Sequence, residues 1–395
     1  MKILIADKMS SSAVKALEEL GAQVAVNADL KAEDLPAAIG DADILIVRST
    51  KVTTATIDAA QSLSLIIRAG AGVNTIDIDE ANRRGIYVAN CPGKNTDAVA
   101  ELAIGLMISA DRRLVNATND LRAGKWRKKE YGKARGLKGR TLGIVGLGSI
   151  GKAVAKCAKG LDMEVIAWSR SLTPEKAEAL EIGYCESPLD LARLADVVSV
   201  HLAAKAETKN LISDEFLGAM KEGSILINTS RGEVVDTGAL KKAIEGRNIK
   251  VGLDVFENEP AGNDPAFADT HLAALITGTP HIGASTDQAS EAIAEEAVRV
   301  VRTYCQTGKP VNSVNVRERT SAIINLVIRH FNRVGVLAGV LDELRTEGVN
   351  IEEMENTVFE GGAAACCTLK LDQEPSEALV AKLRRDESII QIMLK

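Results

Sequence analysis

Leu142-Gly143-Ile144-Val145-Gly146-Leu147-Gly148-Ser149-Ile150-Gly151 decides the fold. A short apolar run stops at a glycine, two further glycines complete G-x-G-x-x-G, and a helical pattern continues over 152–161. The glycines permit a tight turn and close backbone approach, and the helix N-terminus offers free N–H groups to a pyrophosphate. Strand, turn and helix in that order make Gly146, Gly148, Ser149, Ile150 and Gly151 a dinucleotide-binding element of a doubly wound parallel sheet.

Further strand signals at 164–168, 197–202, 224–228, 250–255 and 274–277 bring that sheet to six strands, separated by helical stretches. Upstream, strand signals at 2–6, 23–26, 44–47, 65–68 and 86–89 alternate with helices and predict a separate small α/β domain. Its first helix, 11–20, is closed by Gly21. A long helix is expected over 98–121 with Asp97 as N-cap, and an amphipathic one over 286–306. The last stretch reads as strand 322–329, helix 335–347, a hairpin of 352–359 and 364–372 across Gly361-Gly362, helix 376–384 and strand 389–394. That is a ferredoxin-like βαββαβ order.

The 395 residues allow two or three domains, and the apolar share of 46% with 3% aromatics points to an aliphatic core. A net charge of −6 argues against nucleic acid as partner, and the apolar run 102–110 is too short for a membrane span. Six scattered cysteines and four dispersed histidines predict no metal site and no disulfide framework. Reduced thiols suit a cytoplasmic protein. The segment 125–140 holds eight Lys or Arg in sixteen positions, read as a solvated linker or as a basic rim drawing an anionic substrate.

The chemistry lies in three stretches that each follow a strand signal: Asn228-Thr229-Ser230-Arg231-Gly232, Asp254-Val255-Phe256-Glu257-Asn258-Glu259-Pro260 and Thr279-Pro280-His281-Ile282-Gly283. Arg231 suits bidentate capture of a carboxylate at the carboxyl end of a strand. His281 suits proton transfer, and a glutamate beside it stabilises the imidazolium. At the end of the second strand of the glycine-motif domain Ser169 stands where a carboxylate ordinarily meets the ribose, with Arg170 after it. This pair favours NADP(H), with NAD(H) as the alternative.

These motifs resemble the D-isomer-specific 2-hydroxyacid dehydrogenases over nearly the whole chain. The resemblance implies Arg231, Glu259 and His281 as catalytic residues, with Glu259 chosen over Glu257 because it directly precedes the proline. It implies cofactor contacts by Asp254, Thr229, Ser230, Gly283 and Ala284, and a chain that starts in the substrate domain (1–97 plus 286–308, flavodoxin-like) and crosses into the cofactor domain (98–285). Val47-Arg48-Ser49-Thr50-Lys51-Val52 is similar to the phosphate-binding segment of members that oxidise D-3-phosphoglycerate, with Arg48 and Ser49 in that role and Asn95 as a further substrate contact. After a linker at 309–319, residues 320–395 resemble an ACT domain, in which His330, Asn332 and Asn350 match positions that bind the effector L-serine. The resemblance also implies a homodimer or homotetramer, with the long helix near 98–121 at an interface. Ser169-Arg170 departs from this subgroup and is more like NADPH-dependent hydroxypyruvate and glyoxylate reductases. A nucleotide-sensing interaction protein is the reading from outside enzymology.

Overall fold

The structure, a computed structural model, describes residues 1–260, 266–317 and 320–395. It forms two compact units, Met1–Asn315 and Val316–Lys395.

The first unit holds two parallel sheets. Strands β1 (Lys2–Ile5), β2 (Gln23–Val26), β3 (Ile44–Val47), β4 (Leu65–Arg68) and β5 (Tyr87–Asn90) run in the order β2-β1-β3-β4-β5. This is the flavodoxin-like order. The central Ile44-Leu45-Ile46-Val47 is buried throughout, as a strand covered on both faces must be, whereas β2 at the edge is largely exposed. The helix Asp287–Thr307 returns to this sheet and buries Ile293, Ala297 and Val300 in one cluster with Ile3 and Ile5.

The second sheet comprises β6 (Thr141–Val145), β7 (Glu164–Trp168), β8 (Gly183–Tyr184), β9 (Val197–Val200), β10 (Ile225–Asn228), β11 (Lys250–Leu253) and β12 (Thr277–Gly278). Its order, β12-β11-β10-β9-β6-β7-β8, is the doubly wound arrangement with the glycine turn after β6 at the switch point. The sheet has seven strands, not the six expected, because the two-residue β8 carries no apolar run that would mark it. The strand expected over 274–277 is half helix: Asp269 caps Thr270–Leu275 through the Leu272 N–H, and only Thr277–Gly278 pairs with β11.

The long helix expected over 98–121 is two helices, Thr96–Arg112 and Leu114–Arg122. Arg113 between them has a left-handed backbone, φ 52°, and its guanidinium pairs with Glu130 and lies over the Tyr131 ring. The second helix buries no residue, so no packing holds it in line with the first. Asn95 occupies the N-cap position, and Asp97 sits in the first turn instead.

The segment expected as a linker from 309 is tied down as far as Asn315. Val314 N donates to Val88 O (2.8 Å), Val88 N donates to Asn315 Oδ1 (2.8 Å), and Ala89 bridges Ser313. Residues 318 and 319, the end of that expected linker, lie outside the described residues. Glu296 anchors the same corner. Its buried carboxylate takes Arg299, Lys94 (3.3 Å) and Asn312 Nδ2 (2.7 Å). The Arg299 hydrogen bond outweighs burial and, with Asn312 and Lys94, holds this carboxyl down at about 2. A folded value below the unfolded one stabilises the fold above the unfolded value and loses that contribution as pH falls toward the folded one. Glu296→Gln is therefore expected to lower unfolding stability at pH 7 by on the order of 3 kcal/mol. The difference from wild type should shrink between pH 4.5 and about 2 in denaturant titrations; a pH-independent difference would sink this account.

The second unit has β13 (Ile324–Phe331), β14 (Ile351–Val358), β15 (Ala364–Leu371) and β16 (Ile389–Leu394) in an antiparallel sheet ordered β14-β15-β13-β16, with helices Val336–Glu347 and Glu377–Leu383 over one face. The element order is βαββαβ, with β13 displaced toward Phe331 from the expected 322–329. Among the described residues no helix is long and apolar enough to cross a membrane.

Candidate active site

The turn after β6 is shaped by glycine. Gly146 has φ 96°, and a Cβ there would lie 2.4 Å from His201 O; a Cβ on Gly151 would lie 2.4 Å from Gly146 O. The helix Ser149–Gly160 starts behind Gly148 with no side-chain cap, so the N–H groups around Ser149 and Ile150 face the open end. A cavity of about 260 Å³ lies here, lined by Gly146, Gly148, Trp168, Ser169, Arg170 and Glu207 among others. A cradle that a side chain would fill, at a helix N-terminus, fits a dinucleotide pyrophosphate. Arg170 is not free, however: Nη1 meets Glu207 Oε1 at 2.9 Å. His201, at the same wall, bonds Ser199 Oγ through Nε2 (2.8 Å), and burial pushes its pKa down to about 4, which keeps it neutral.

The three chemical stretches meet at the carboxyl ends of β10, β11 and β12. Asn228 organises the first: its Oδ1 accepts from Ser230 N (3.0 Å) and Oγ (2.7 Å), and its Nδ2 donates to Arg231 O (2.9 Å). The next loop lies so close that a Cβ on Gly232 would come within 2.0 Å of the Phe256 carbonyl, which only glycine avoids. Thr229 Oγ1 is buried without a partner among the described residues. Asp254, itself buried, clamps the third stretch: its carboxylate accepts from Thr279 Oγ1 (2.6 Å), Ile282 N (2.8 Å) and Gly283 N (2.8 Å). Its backbone carbonyl takes His281 N at 2.8 Å, which holds His281 in a left-handed conformation of φ 52°.

That conformation aims the imidazole at Glu259. Nδ1 lies 2.7 Å from Glu259 Oε2, and Oε1 accepts from Phe256 N at 3.0 Å. Burial works against the charge of Glu259, but the His281 hydrogen bond, the imidazole charge and the Phe256 N–H prevail and hold its pKa below the usual carboxylate range. With Nδ1 engaged, Nε2 is the nitrogen left to exchange a proton. Glu257 has no such contact, so Glu259 is the glutamate paired with the histidine.

Opposite stands a cluster of cations. Arg68, at the end of β4, feels both Arg231 and Arg48; burial first, then those two charges, lower its pKa to about 10. Its Nε is buried without a partner among the described residues. The Ala69-Gly70-Ala71-Gly72 stretch makes the room: a Cβ on Gly70 would meet Arg68 Nη1 at 1.8 Å, and one on Gly72 would meet Arg231 Nη2 at 2.2 Å. Arg48 reaches Ser290 Oγ and Ala284 O only at 3.5 Å, and Arg231 Nη1 donates to Ser230 O at 2.6 Å. Among the described residues none of these guanidiniums is salt-bridged to a carboxylate; Asp7 instead accepts the backbone N–H groups of Arg48 (2.6 Å), Ser49 (3.2 Å) and Thr50 (3.2 Å). The Ser49 N–H is thus spent, leaving its hydroxyl. Asn95 opens Thr96–Arg112, and Cys91 N bonds Gly70 O (2.9 Å), which joins the Asn95 loop to the Arg68 loop.

A family model described as D-isomer specific 2-hydroxyacid dehydrogenase, NAD binding domain, matches residues 104–283. Glyoxylate reductase of Thermococcus litoralis is 41% identical over 292 residues, 72% of this chain and 87% of that protein. The chain belongs to this family. D-3-phosphoglycerate dehydrogenase of Methanocaldococcus jannaschii, another relative of the family, is 39% identical over 308 residues, 76% of this chain. The chain spans only 58% of that protein's length. A structure of NAD+-bound 3-phosphoglycerate dehydrogenase from Entamoeba histolytica superposes with a TM-score of 0.67 at 31% identity, covering 80% of this chain and 99% of that one.

Sequence reasoning overlooked Arg68, Asp7 and Glu207. Arg68 had a signal in the glycines at 70 and 72, whose spacing after a strand end marks a backbone that something approaches closely. Glu207, in a short turn far from Ser169 in sequence, had none. The basic stretch over 125–140 is partly neutralised within the chain: Arg127 meets Asp120, Arg135 meets Asp196, Lys138 meets Asp162, and Arg140 meets the buried Asp111. In the second unit His330 is buried, with Nδ1 on Phe331 O (2.8 Å) and Nε2 on Asn356 Oδ1 (3.2 Å), and Asn332 donates to Gly362 O (2.9 Å). Asn350 lies at the other end of the sheet, beside Asp372 and Glu352. At about 3.4 Å per residue the length of β14 puts roughly 20 Å between these ends, so one copy of this unit does not bring the three residues together.

Proposed function

We propose that the chain catalyses reversible oxidation of D-3-phosphoglycerate to 3-phosphohydroxypyruvate, the first step of L-serine biosynthesis, with a nicotinamide dinucleotide. The observation that carries this reading is the cluster of Arg48, Arg68 and Arg231, none of which is salt-bridged to a carboxylate among the described residues. A cation as desolvated as Arg68, beside two further guanidiniums, is costly unless an anion meets it, and a substrate bearing a carboxylate and a phosphate supplies two. Arg231 binds the carboxylate and the reacting oxygen. Arg68 and Arg48, with the Ser49 hydroxyl and Asn95, hold the phosphate end. His281 takes the hydroxyl proton on Nε2 as C2 loses its hydride, and Glu259 keeps the resulting imidazolium oriented and stabilised. The bound nicotinamide supplies the acceptor for that hydride at C4. Gly146, Gly148, Ser149, Ile150 and Gly151 bind the pyrophosphate, and Thr229, Ser230, Asp254, Gly283 and Ala284 line the nicotinamide end. Ser169 and Arg170 support NADP(H) as the cofactor, whereas the pairing of Arg170 with Glu207 supports NAD(H).

Two features favour a second reading, an NADPH-dependent hydroxypyruvate or glyoxylate reductase: the likeness to the Thermococcus glyoxylate reductase over most of that protein's length favours the reductase, and Ser169-Arg170 favours NADPH. Initial rates with D-3-phosphoglycerate, 3-phosphohydroxypyruvate, hydroxypyruvate and glyoxylate separate the two. We expect kcat/KM to favour the phosphorylated ketoacid over hydroxypyruvate by at least about 100-fold, the worth of a lost charge-assisted contact of roughly 3 kcal/mol. A preference for unphosphorylated hydroxypyruvate would overturn the assignment.

For Val316–Lys395 the βαββαβ order and His330 and Asn332 support an ACT-type regulatory unit with L-serine as effector. Because Asn350 sits at the far end of its sheet, a serine site using all three residues takes them from two copies, in keeping with a homodimer or homotetramer.

A further inference from the structure

We propose that Glu207 sets the cofactor preference of this chain: by holding Arg170 in an ion pair at the ribose end of the cleft it makes NAD(H) the preferred dinucleotide over NADP(H). The inference rests on the dinucleotide reading of that cleft and is independent of which hydroxyacid is oxidised.

Ser169 follows β7, at the place where a carboxylate ordinarily accepts from the ribose 2′-hydroxyl. The strand carries no acid there, but the cleft does. Glu207 lines the same cavity from the turn Ala206–Thr208, and its Oε1 lies 2.9 Å from Arg170 Nη1. The turn is built to hold it: Thr208 Oγ1 accepts from Lys205 N (2.9 Å) and donates to Ala203 O (2.7 Å). The Glu207 carboxyl sits below the usual carboxylate range, first through its own backbone N–H and then through Arg170, so it is charged at neutral pH.

This acid acts twice against a 2′-phosphate. The phosphate must take Arg170 away from an existing partner, and it must do so beside a second negative charge. A 2′-hydroxyl meets neither obstacle and has a carboxylate in reach. Both side chains of the pair are more than half exposed, so opening the pair alone costs at most about fivefold in an equilibrium; the repulsion adds to it. NADP(H) is therefore disfavoured rather than shut out. Lys205, also in the cleft, is unchanged by the substitution below and cannot produce its effect.

The test is fluorescence titration of the full-length protein with NADH and with NADPH, without substrate, for wild type, Glu207→Gln and Glu207→Gln/Arg170→Met. Wild type is expected to bind NADH more tightly. Glu207→Gln should move the affinity ratio toward NADPH by about tenfold, and adding Arg170→Met should remove that gain, because the freed guanidinium is its source. A wild type that prefers NADPH, or a ratio in Glu207→Gln within about twofold of wild type, would overturn the proposal. Binding of neither dinucleotide to wild type would overturn the reading of the cleft and the proposal with it. Failure of the phosphoglycerate assignment shows only in the rate assays and leaves these titrations intact.

Discussion

His281→Ala is expected to lower kcat by about 10³-fold, in the middle of the range for loss of a positioned general acid–base, while NADH affinity changes by less than about twofold. The argument is geometric. Two backbone constraints, Asp254 O on His281 N and the Asp254 carboxylate on the N–H groups of Ile282 and Gly283, fix the loop independently of the imidazole. The ring is about half exposed, so its removal opens no enclosed cavity. The loss should therefore fall on the proton-transfer step alone. Glu259→Gln preserves a hydrogen bond to Nδ1 but removes the charge that stabilises imidazolium, so its effect should be smaller and pH-dependent. Its deficit should fade as pH falls through the carboxyl's folded value, which lies below the usual carboxylate range, because below it wild type also carries a neutral acid. Steady-state rates with parallel nucleotide titrations measure both effects. Retention of kcat within tenfold in His281→Ala would remove the histidine from the mechanism.

Arg68→Met should harm function and help the fold. Truncating one charge of a buried pair with a bound anion costs about 2–5 kcal/mol, so kcat/KM for phosphoglycerate should fall by about 10²–10³-fold. Yet in the absence of substrate Arg68 has no salt-bridge partner among the described residues, and burial, Arg231 and Arg48 lower its pKa to about 10. For a base, a folded value below the unfolded one means the charged form destabilises the fold at every pH beneath it, and stability rises as pH passes from the folded toward the unfolded value. Removing the charge is expected to raise unfolding stability at pH 7 by up to about 3 kcal/mol, less whatever packing the guanidinium contributes. Thermal melts of the substrate-free protein and initial rates test the two halves. Lower stability with unchanged kcat/KM would mean Arg68 is an ordinary structural residue. Opposite changes in stability and activity are what a preorganised anion site produces.

The order of elements was legible wherever periodicity and punctuation agreed. The buried aliphatic strands, the glycine turn at Gly146 and the βαββαβ sequence of the last unit follow from local patterns. Legibility ended where pairing or packing overrides a pattern. The strand β8 is two residues long and exists only because β7 lies alongside. The helix over 98–121 reads as continuous, but Arg113 breaks it, with its side chain drawn to Glu130 and Tyr131. The segment after 309 reads as a linker because its residues suit loops, yet Ser313 and Asn315 find the free edge of β5.

The candidate site divides the same way. Arg231 and His281 were readable as candidates because each sits in a short motif after a strand, where a doubly wound sheet presents its chemistry, whereas Glu259 was chosen over Glu257 through the family resemblance. The contact of Glu259 with His281, the grouping of Arg68 with Arg48 and Arg231, and the capture of Arg170 by Glu207 join residues from separate strands and turns. Charge acts through distances in space, and neighbours along the chain carry no record of those distances once it has folded back on itself. Residue types and local spacing thus gave a dinucleotide-binding, doubly wound architecture with a guanidinium, a carboxylate and an imidazole near strand ends, and the family resemblance made it a dehydrogenase. Folding decided which charges are paired and which are left for a ligand, because pairing depends on what the turns bring within a few ångströms.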